Sequence, residues 1–196
     1  LKEIAAVCRE LNLYLFMDGA RMGAALAAAD NDLDYADLCR YCDVFYLGGT
    51  KNGALFGEAV VIVREELKKD FRYMIKQRGG MLAKGWLLGA QFAVLFEGNR
   101  YLEIAAHANR MAQRMQEAME ALHIPLFIKT TTNQIFPILS NVLIEELQKD
   151  YAFQVWEVMD EEHTAMRFVT SWATREEEVD RFIAHLNVVC SRLRKI

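Results

Sequence analysis

Asp18, Lys51 and Arg167 are the residues of this chain whose types and settings could do chemistry. Asp18 directly follows the apolar run 13–17 and opens Asp18-Gly19-Ala20-Arg21. Lys51 sits in a turn with glycines at 48, 49, 53 and 57, between the apolar runs 44–47 and 59–63. Arg167 falls in an alternating stretch, on the face opposite Met166, Phe168, Thr170 and Trp172. A carboxylate at a strand end can hold a protonated ring nitrogen. A lysine among glycines, where the backbone lets a ligand approach closely, can form an imine with an aldehyde when desolvation lowers its pKa. An arginine on a strand can grip a carboxylate through two parallel hydrogen bonds, which a lysine does less well.

Taken singly, each has a plainer reading. A lysine in a glycine turn between two strands is equally a solvated hairpin residue. Taken together, the three are the parts expected of a pyridoxal phosphate enzyme acting on amino acids. Other chemistries of a glycine turn fail on spacing. A phosphate-binding P-loop needs Gly-Lys followed by Ser or Thr, whereas Thr50 precedes this lysine and Asn52 follows it. A dinucleotide fingerprint opens a helix, and the run 59–63 reads as a strand. Cys39 and Cys42 form a C-x-x-C, but no second half of a zinc site lies near, so they read as packed thiols. The four histidines are dispersed, and no metal site is expected.

The elements that must position these residues follow from periodicity. A helix over 2–11, a strand over 13–17, helices over 23–29 and 34–41, and strands over 43–47 and 59–63 describe an α/β unit with a parallel sheet. Ligands in such sheets bind at the carboxyl ends of strands, where Asp18 and Lys51 stand. Beyond residue 63 the spacing predicts helices over 65–77 and 81–96, the second buried, and a long helix over 102–122 with one apolar stripe. A strand over 133–139 contains Pro137, which places it at a sheet edge. A helix over 141–150, an extended stretch 153–159, the strand 166–172, a capping box Thr174-x-x-Glu177 and a final helix complete the chain. The first third is therefore α/β and the remainder helix-rich α+β, with a boundary inside the helices of 65–96.

The totals exclude some classes. The chain has 196 residues, 53% hydrophobic and 26% charged, which is ordinary for a soluble globular protein. A net charge of -4 leaves no basic footprint, so nucleic acid is not an expected partner. The longest uncharged apolar run, 85–96, is too short to span a bilayer, and residues 1–11 lack a signal-peptide pattern. These features predict a cytoplasmic protein without a membrane partner.

Leu15-Phe16-Met17-Asp18-Gly19-Ala20-Arg21, then Cys42-Asp43-Val44-Phe45-Tyr46-Leu47-Gly48-Gly49-Thr50-Lys51-Asn52-Gly53 and Gly57-Glu58-Ala59, resemble the pyridoxal phosphate-dependent low-specificity threonine aldolases of the β-eliminating lyase group. The segments 76–85, 132–136 and 166–170 are similar to later parts of the same family, in the same order. The resemblance implies the fold type I (aspartate-aminotransferase-like) architecture, with 1–65 the C-terminal part of the large cofactor-binding domain and 66–196 an α+β small domain. It implies cleavage of threonine or another β-hydroxy amino acid to glycine and an aldehyde, and a homodimer or homotetramer. By the same resemblance Lys51 is the Schiff-base lysine and Asp18 pairs with the pyridine nitrogen. Arg21 lies beside the cofactor and the substrate carboxylate, Thr50 touches the phosphate, and Arg167 binds the α-carboxylate. The family's phosphate-binding loop, ring-stacking residue and histidine base precede the Asp-containing strand and have no counterpart here. The chain therefore reads as the C-terminal portion of a longer enzyme, inactive in isolation. Two alternatives stay open: a β-eliminating amino-acid lyase of the same fold, and a non-catalytic fragment.

Overall fold

The structure, a computed structural model, describes residues 1–193. The chain forms two compact units, one of residues 1–26 with 31–103 and one of residues 27–30 with the chain from 104 onward. The helices of 65–96 thus lie inside the first unit. The division at residue 65, carried over from the family's large and small domains, is a different partition from this one by contacts.

The first unit begins with α1 (Lys2–Glu10), β1 (Phe16–Met17), α2 (Met22–Leu26), α3 (Tyr35–Tyr41), β2 (Val44–Gly48) and β3 (Glu58–Ile62). Asp34 caps α3 in a capping box. Its carboxylate accepts from the Asp37 amide at 2.8 Å, and the Asp37 carboxylate accepts from the Asp34 amide at 3.3 Å. The apolar run 13–17 yields only two strand residues. Leu13, Tyr14 and Phe16 are exposed, because β1 is an edge strand with β2 alone beside it. β1 pairs with β2 in parallel, Phe16 opposite Val44 and Met17 opposite Phe45. β3 departs from the expected parallel sheet. It runs antiparallel to β2, from Val44 opposite Ile62 to Gly48 opposite Glu58. The physical reason is connection length: a parallel return needs a crossover of a dozen or more residues, and 49–57 is too short for one. Lys51 is therefore carried in a hairpin connection.

The helix expected over 65–77 is broken. A 3-10 turn, Glu65–Leu67, and α4 (Phe71–Gln77) are separated by Asp70, whose φ of 59° lies in the left-handed region and cannot continue a right-handed helix. α5 (Trp86–Phe96) starts later than expected, and it is not the buried helix its composition predicts. Only Leu95 is buried, while Trp86, Leu87 and Val94 are exposed. Composition says which surface favours burial, and burial requires a covering element that this unit does not supply. The inner edge of α5 is aromatic: Phe92 stacks on Phe96 at 6.1 Å between centroids, and Phe96 on Tyr101 at 5.0 Å.

α6 (Arg100–Ala121) carries the expected stripe, with Ala105, Ala108, Ala112, Met115 and Met119 buried at steps of three or four and Tyr101 and Met111 buried beside them. The second unit adds β4 (Leu126–Ile128), β5 (Gln134–Ser140), α7 (Asn141–Leu147), β6 (Gln154–Val158), β7 (His163–Val169) and α8 (Glu176–Leu193). Its sheet is antiparallel, in the order β4-β5-β7-β6. One core joins Met115 and Met119 to Ile135, Leu139, Met166 and Phe168 of the sheet and to Leu147, Phe182 and Leu186 of the helices. Each such side chain contributes about 1.5–3 kcal/mol through burial.

Two expectations fail in this unit for identifiable reasons. Pro137 does not mark an edge, since β5 lies between β4 and β7. Ile138 N donates to the Pro125 carbonyl on the β4 side, so the nitrogen of Pro137 faces β7, where the pairing passes from Ile135 opposite Phe168 to Ile138 opposite Ala165 and needs no donor from the proline. The capping box at Thr174 does not form. The Thr174 hydroxyl accepts from the Ser171 amide at 2.9 Å, closing a turn before α8, and Trp172 in that turn is exposed rather than on the buried face with Met166, Phe168 and Thr170.

Candidate active site

The turn that carries Lys51 is held from within. Gly49 O accepts from Asn52 N at 2.9 Å and from Ala54 N at 3.0 Å, and Gly53, with φ 97°, makes the reversal that a side chain would oppose. Gly49 N donates to the Glu58 carboxylate at 2.5 Å. Thr50 and Lys51 are exposed, and the next residue, Asn52, is turned inward and buried. A buried amide needs partners. Asn52 Nδ2 donates to the Tyr101 carbonyl at 2.8 Å, and the Tyr101 hydroxyl donates to the Gly48 carbonyl at 2.9 Å. Tyr101 is 1% exposed, and burial pushes its phenol well up from its ordinary value. The inward hold on Asn52 is what leaves its neighbour Lys51 facing out.

Asp18 stands one residue beyond the β1–β2 pairing, level with Tyr46. The backbones are in near contact there: a Cβ on Gly19 would lie 1.6 Å from the Tyr46 carbonyl oxygen, and one on Gly48 would lie 2.3 Å from the Ala20 carbonyl oxygen. Gly48 N donates to Gly19 O at 2.9 Å. Asp18 Oδ1 accepts from Ala20 N at 3.0 Å and from the Tyr46 hydroxyl. The Tyr46 bond holds the Asp18 carboxyl below its usual range, the Ala20 amide adds to this, desolvation opposes it, and the Lys51 charge lowers it further. Asp18 follows the carboxyl end of β1 and Lys51 that of β2, the two strands that pair in parallel. Arg21, partly buried, directly precedes α2 in the same unit.

Arg167 belongs to the second unit, on β7 opposite Gln154 of β6. Its Nη2 donates to Gln154 Oε1, and its guanidinium carbon lies 5.9 Å from the centroid of the Trp156 ring. Its Nε is buried without a hydrogen-bond partner among the described residues. A cavity of about 300 Å³, lined by Phe153, Gln154, Arg167 and Val169 among others, adjoins it. A buried cationic N–H without an acceptor is costly, and a carboxylate would satisfy it.

Tyr46, Asn52, Glu58 and Tyr101 are the residues that sequence reasoning did not assign to the site. Tyr46 comes level with Asp18 only through the register of β1 against β2, Phe16 opposite Val44, which the apolar runs do not fix. Tyr101 gives no local signal, being 49 positions from Asn52. Among the described residues no cluster of His, Cys, Asp or Glu is placed to hold a metal ion, and no helix is long and apolar enough to cross a membrane. The groups present suit a pyridine aldehyde: a primary amine at an open glycine turn for the aldehyde, and an exposed strand-end carboxylate whose second oxygen, receiving no donor from the described residues, can take the ring N–H.

Residues 1–141, which include Asp18, Arg21, Thr50 and Lys51, match the beta-eliminating lyase family. The chain belongs to that family. It is 34% identical over 193 residues to the low specificity L-threonine aldolase of Pseudomonas sp. (strain NCIMB 10558), covering 97% of this chain and 55% of that one. Among solved structures, the threonine aldolase of Leishmania major superposes with a TM-score of 0.94 at 46% identity, over 96% of this chain and 55% of that one. The lysine aminotransferase of M. tuberculosis, with a TM-score of 0.58 and 15% identity over 94% of this chain and 43% of its own, shares the fold alone. The fold is that of the type I pyridoxal phosphate enzymes, as the resemblance implied. This beta-eliminating lyase chain spans about half the length of the relatives it matches.

Proposed function

We propose that this chain is the part of a pyridoxal phosphate-dependent aldolase that carries the Schiff-base lysine, and that the enzyme cleaves threonine or another β-hydroxy amino acid to glycine and an aldehyde. The observation that carries the reading is the placing of Asp18 and Lys51 just beyond the carboxyl ends of two strands paired in parallel, in a family whose relatives in Pseudomonas and Leishmania are named threonine aldolases. Pyridoxal phosphate, when bound, supplies the electron sink for breaking a bond at the amino acid's α-carbon. Lys51 would hold the cofactor through its amine, and Asp18 would offer an ionised carboxylate to the ring nitrogen. Thr50, exposed beside the lysine, would serve the phosphate, and Arg21 would serve the cofactor and the substrate carboxylate. Arg167 binds the substrate α-carboxylate, and its unpartnered Nε supports that role. We place the enzyme in the cytoplasm as a homodimer or homotetramer.

Reductive trapping with borohydride, followed by peptide mapping of the full chain, tests the lysine. Label on Lys51, absent from Lys51→Ala, is the expected result, and label elsewhere sinks the assignment. Product analysis on threonine then separates the reactions. Glycine plus an aldehyde is expected, whereas a 2-oxo acid plus ammonia would identify a β-eliminating lyase instead.

A further inference from the structure

The side chain of Asp18 is not free to choose its orientation. Phe16 and Met17 of β1 pair with Val44 and Phe45 of β2, which leaves Asp18 and Tyr46 as the next residues on each strand. Gly19 brings the two backbones together at that level, since any side chain there would overlap the Tyr46 carbonyl. The Phe16 ring lies 6.1 Å from the Tyr46 ring, flanking the phenol on the strand side. From this position the Tyr46 hydroxyl donates to Asp18 Oδ1, and Ala20 N donates to the same oxygen at 3.0 Å. Asp18 Oδ2 receives no donor from the described residues. The charged groups that act on the pair are Lys51, on Asp18, and Glu58, on Tyr46.

We propose that Tyr46 is a positioning residue for Asp18: its hydroxyl, together with the Ala20 amide, occupies Oδ1 and fixes the carboxylate so that Oδ2 is the oxygen offered to a cationic heteroaromatic N–H. The inference rests on the reading of Asp18 as the partner of the cofactor's ring nitrogen. It adds a residue that neither the motif around Lys51 nor that around Asp18 points to. A carboxylate with two donors on one oxygen loses rotational freedom before the ligand arrives, so less is lost when the ion pair forms. The same two donors favour its charged form, which keeps the shared proton on the ring nitrogen rather than on the carboxylate. Glu58 and Asp18 both hold the phenol in its neutral, donating form, and the hydrogen bond to Asp18 is the larger influence.

The test compares Tyr46→Phe, Asp18→Asn and the double variant in the full chain. Without cofactor, a carbon-13 NMR titration of the Asp18 carboxyl should move upward in Tyr46→Phe. With cofactor, Tyr46→Phe should bind pyridoxal phosphate about two- to tenfold more weakly, the scale of one net hydrogen bond. Borohydride trapping at Lys51 should persist. In the double variant the tyrosine change should add nothing to the loss caused by Asp18→Asn. An unmoved Asp18 titration in Tyr46→Phe overturns the inference. So does unchanged cofactor affinity in Tyr46→Phe alongside a weakened Asp18→Asn. If Asp18→Asn itself binds cofactor as the wild type does, the reading of Asp18 fails, and with it the ligand named here.

Discussion

Tyr101 grips Asn52 and the strand before it at once: its carbonyl accepts from Asn52 Nδ2 at 2.8 Å while its hydroxyl donates to the Gly48 carbonyl at 2.9 Å. One buried residue, through its backbone carbonyl and its phenol, thus spans the turn on which Lys51 is mounted. Tyr101→Phe keeps the ring stack on Phe96 and removes only the hydroxyl, leaving the Gly48 carbonyl short of a buried donor. A loss of about 1–3 kcal/mol in chemical denaturation is expected. A midpoint equal to wild type would show that the hydroxyl does not hold the turn.

Gly19 is where two backbones pass without room for a side chain. A Cβ would sit 1.6 Å from the Tyr46 carbonyl oxygen, which is backbone and cannot swing away. Gly19→Ala must therefore push β1 off β2, and a loss above about 3 kcal/mol, or failure to fold, is expected. A variant that melts within a degree or two of wild type would contradict the close approach.

Asp43 ties the first strand to the start of the second. Its carboxylate accepts from Leu15 N at 2.7 Å and from Arg64 Nε at 2.5 Å. Burial pushes its carboxyl up, but these two bonds together with the charges of Arg64 and Arg9 outweigh burial and leave it below the usual range. Because the folded value is the lower one, the stabilisation is present above the unfolded carboxylate value of about 4 and disappears as pH falls through the folded value. Asp43→Asn should be less stable than wild type by about 1–3 kcal/mol at pH 7. The gap should close in strong acid, and urea midpoints across the range would measure it. A gap that does not change with pH would exclude an ionic origin.

Arg167 differs from a lysine by its planar fork. If it binds the substrate carboxylate, Arg167→Lys keeps the charge and loses the second parallel bond, so KM should rise by about tenfold to a hundredfold. Steady-state kinetics on the full chain would decide, and an unchanged KM would remove Arg167 from substrate binding.

Asp18 and Lys51 were legible because each follows its own apolar run, so local pattern alone places it at a strand end. The long helix over Tyr101 and Met119 was legible for the same reason, its stripe being a local period. What escaped depends on pairings between distant segments. The direction of β3 follows from the length of 49–57 rather than from the composition of 59–63. The burial expected of α5 depended on a covering surface that composition cannot supply. Pro137 looked like an edge signal because the interval that accommodates it, between the Ile135–Phe168 and Ile138–Ala165 pairs, depends on the distant strand β7. Thr174 looked like a cap because its spacing to Glu177 was right, although its hydroxyl is engaged by Ser171.

The interior proline of β5 also protects the second unit against misassembly. Sliding β5 by one residue would turn Ile135 and Leu139 from the core to the opposite face of the sheet. It would also carry the missing N–H of Pro137 out of the interval between the Ile135–Phe168 and Ile138–Ala165 pairs, so that another carbonyl would be left without a donor. The seven-residue strand is thus held in place by what it buries on one count and by a donor it lacks on another.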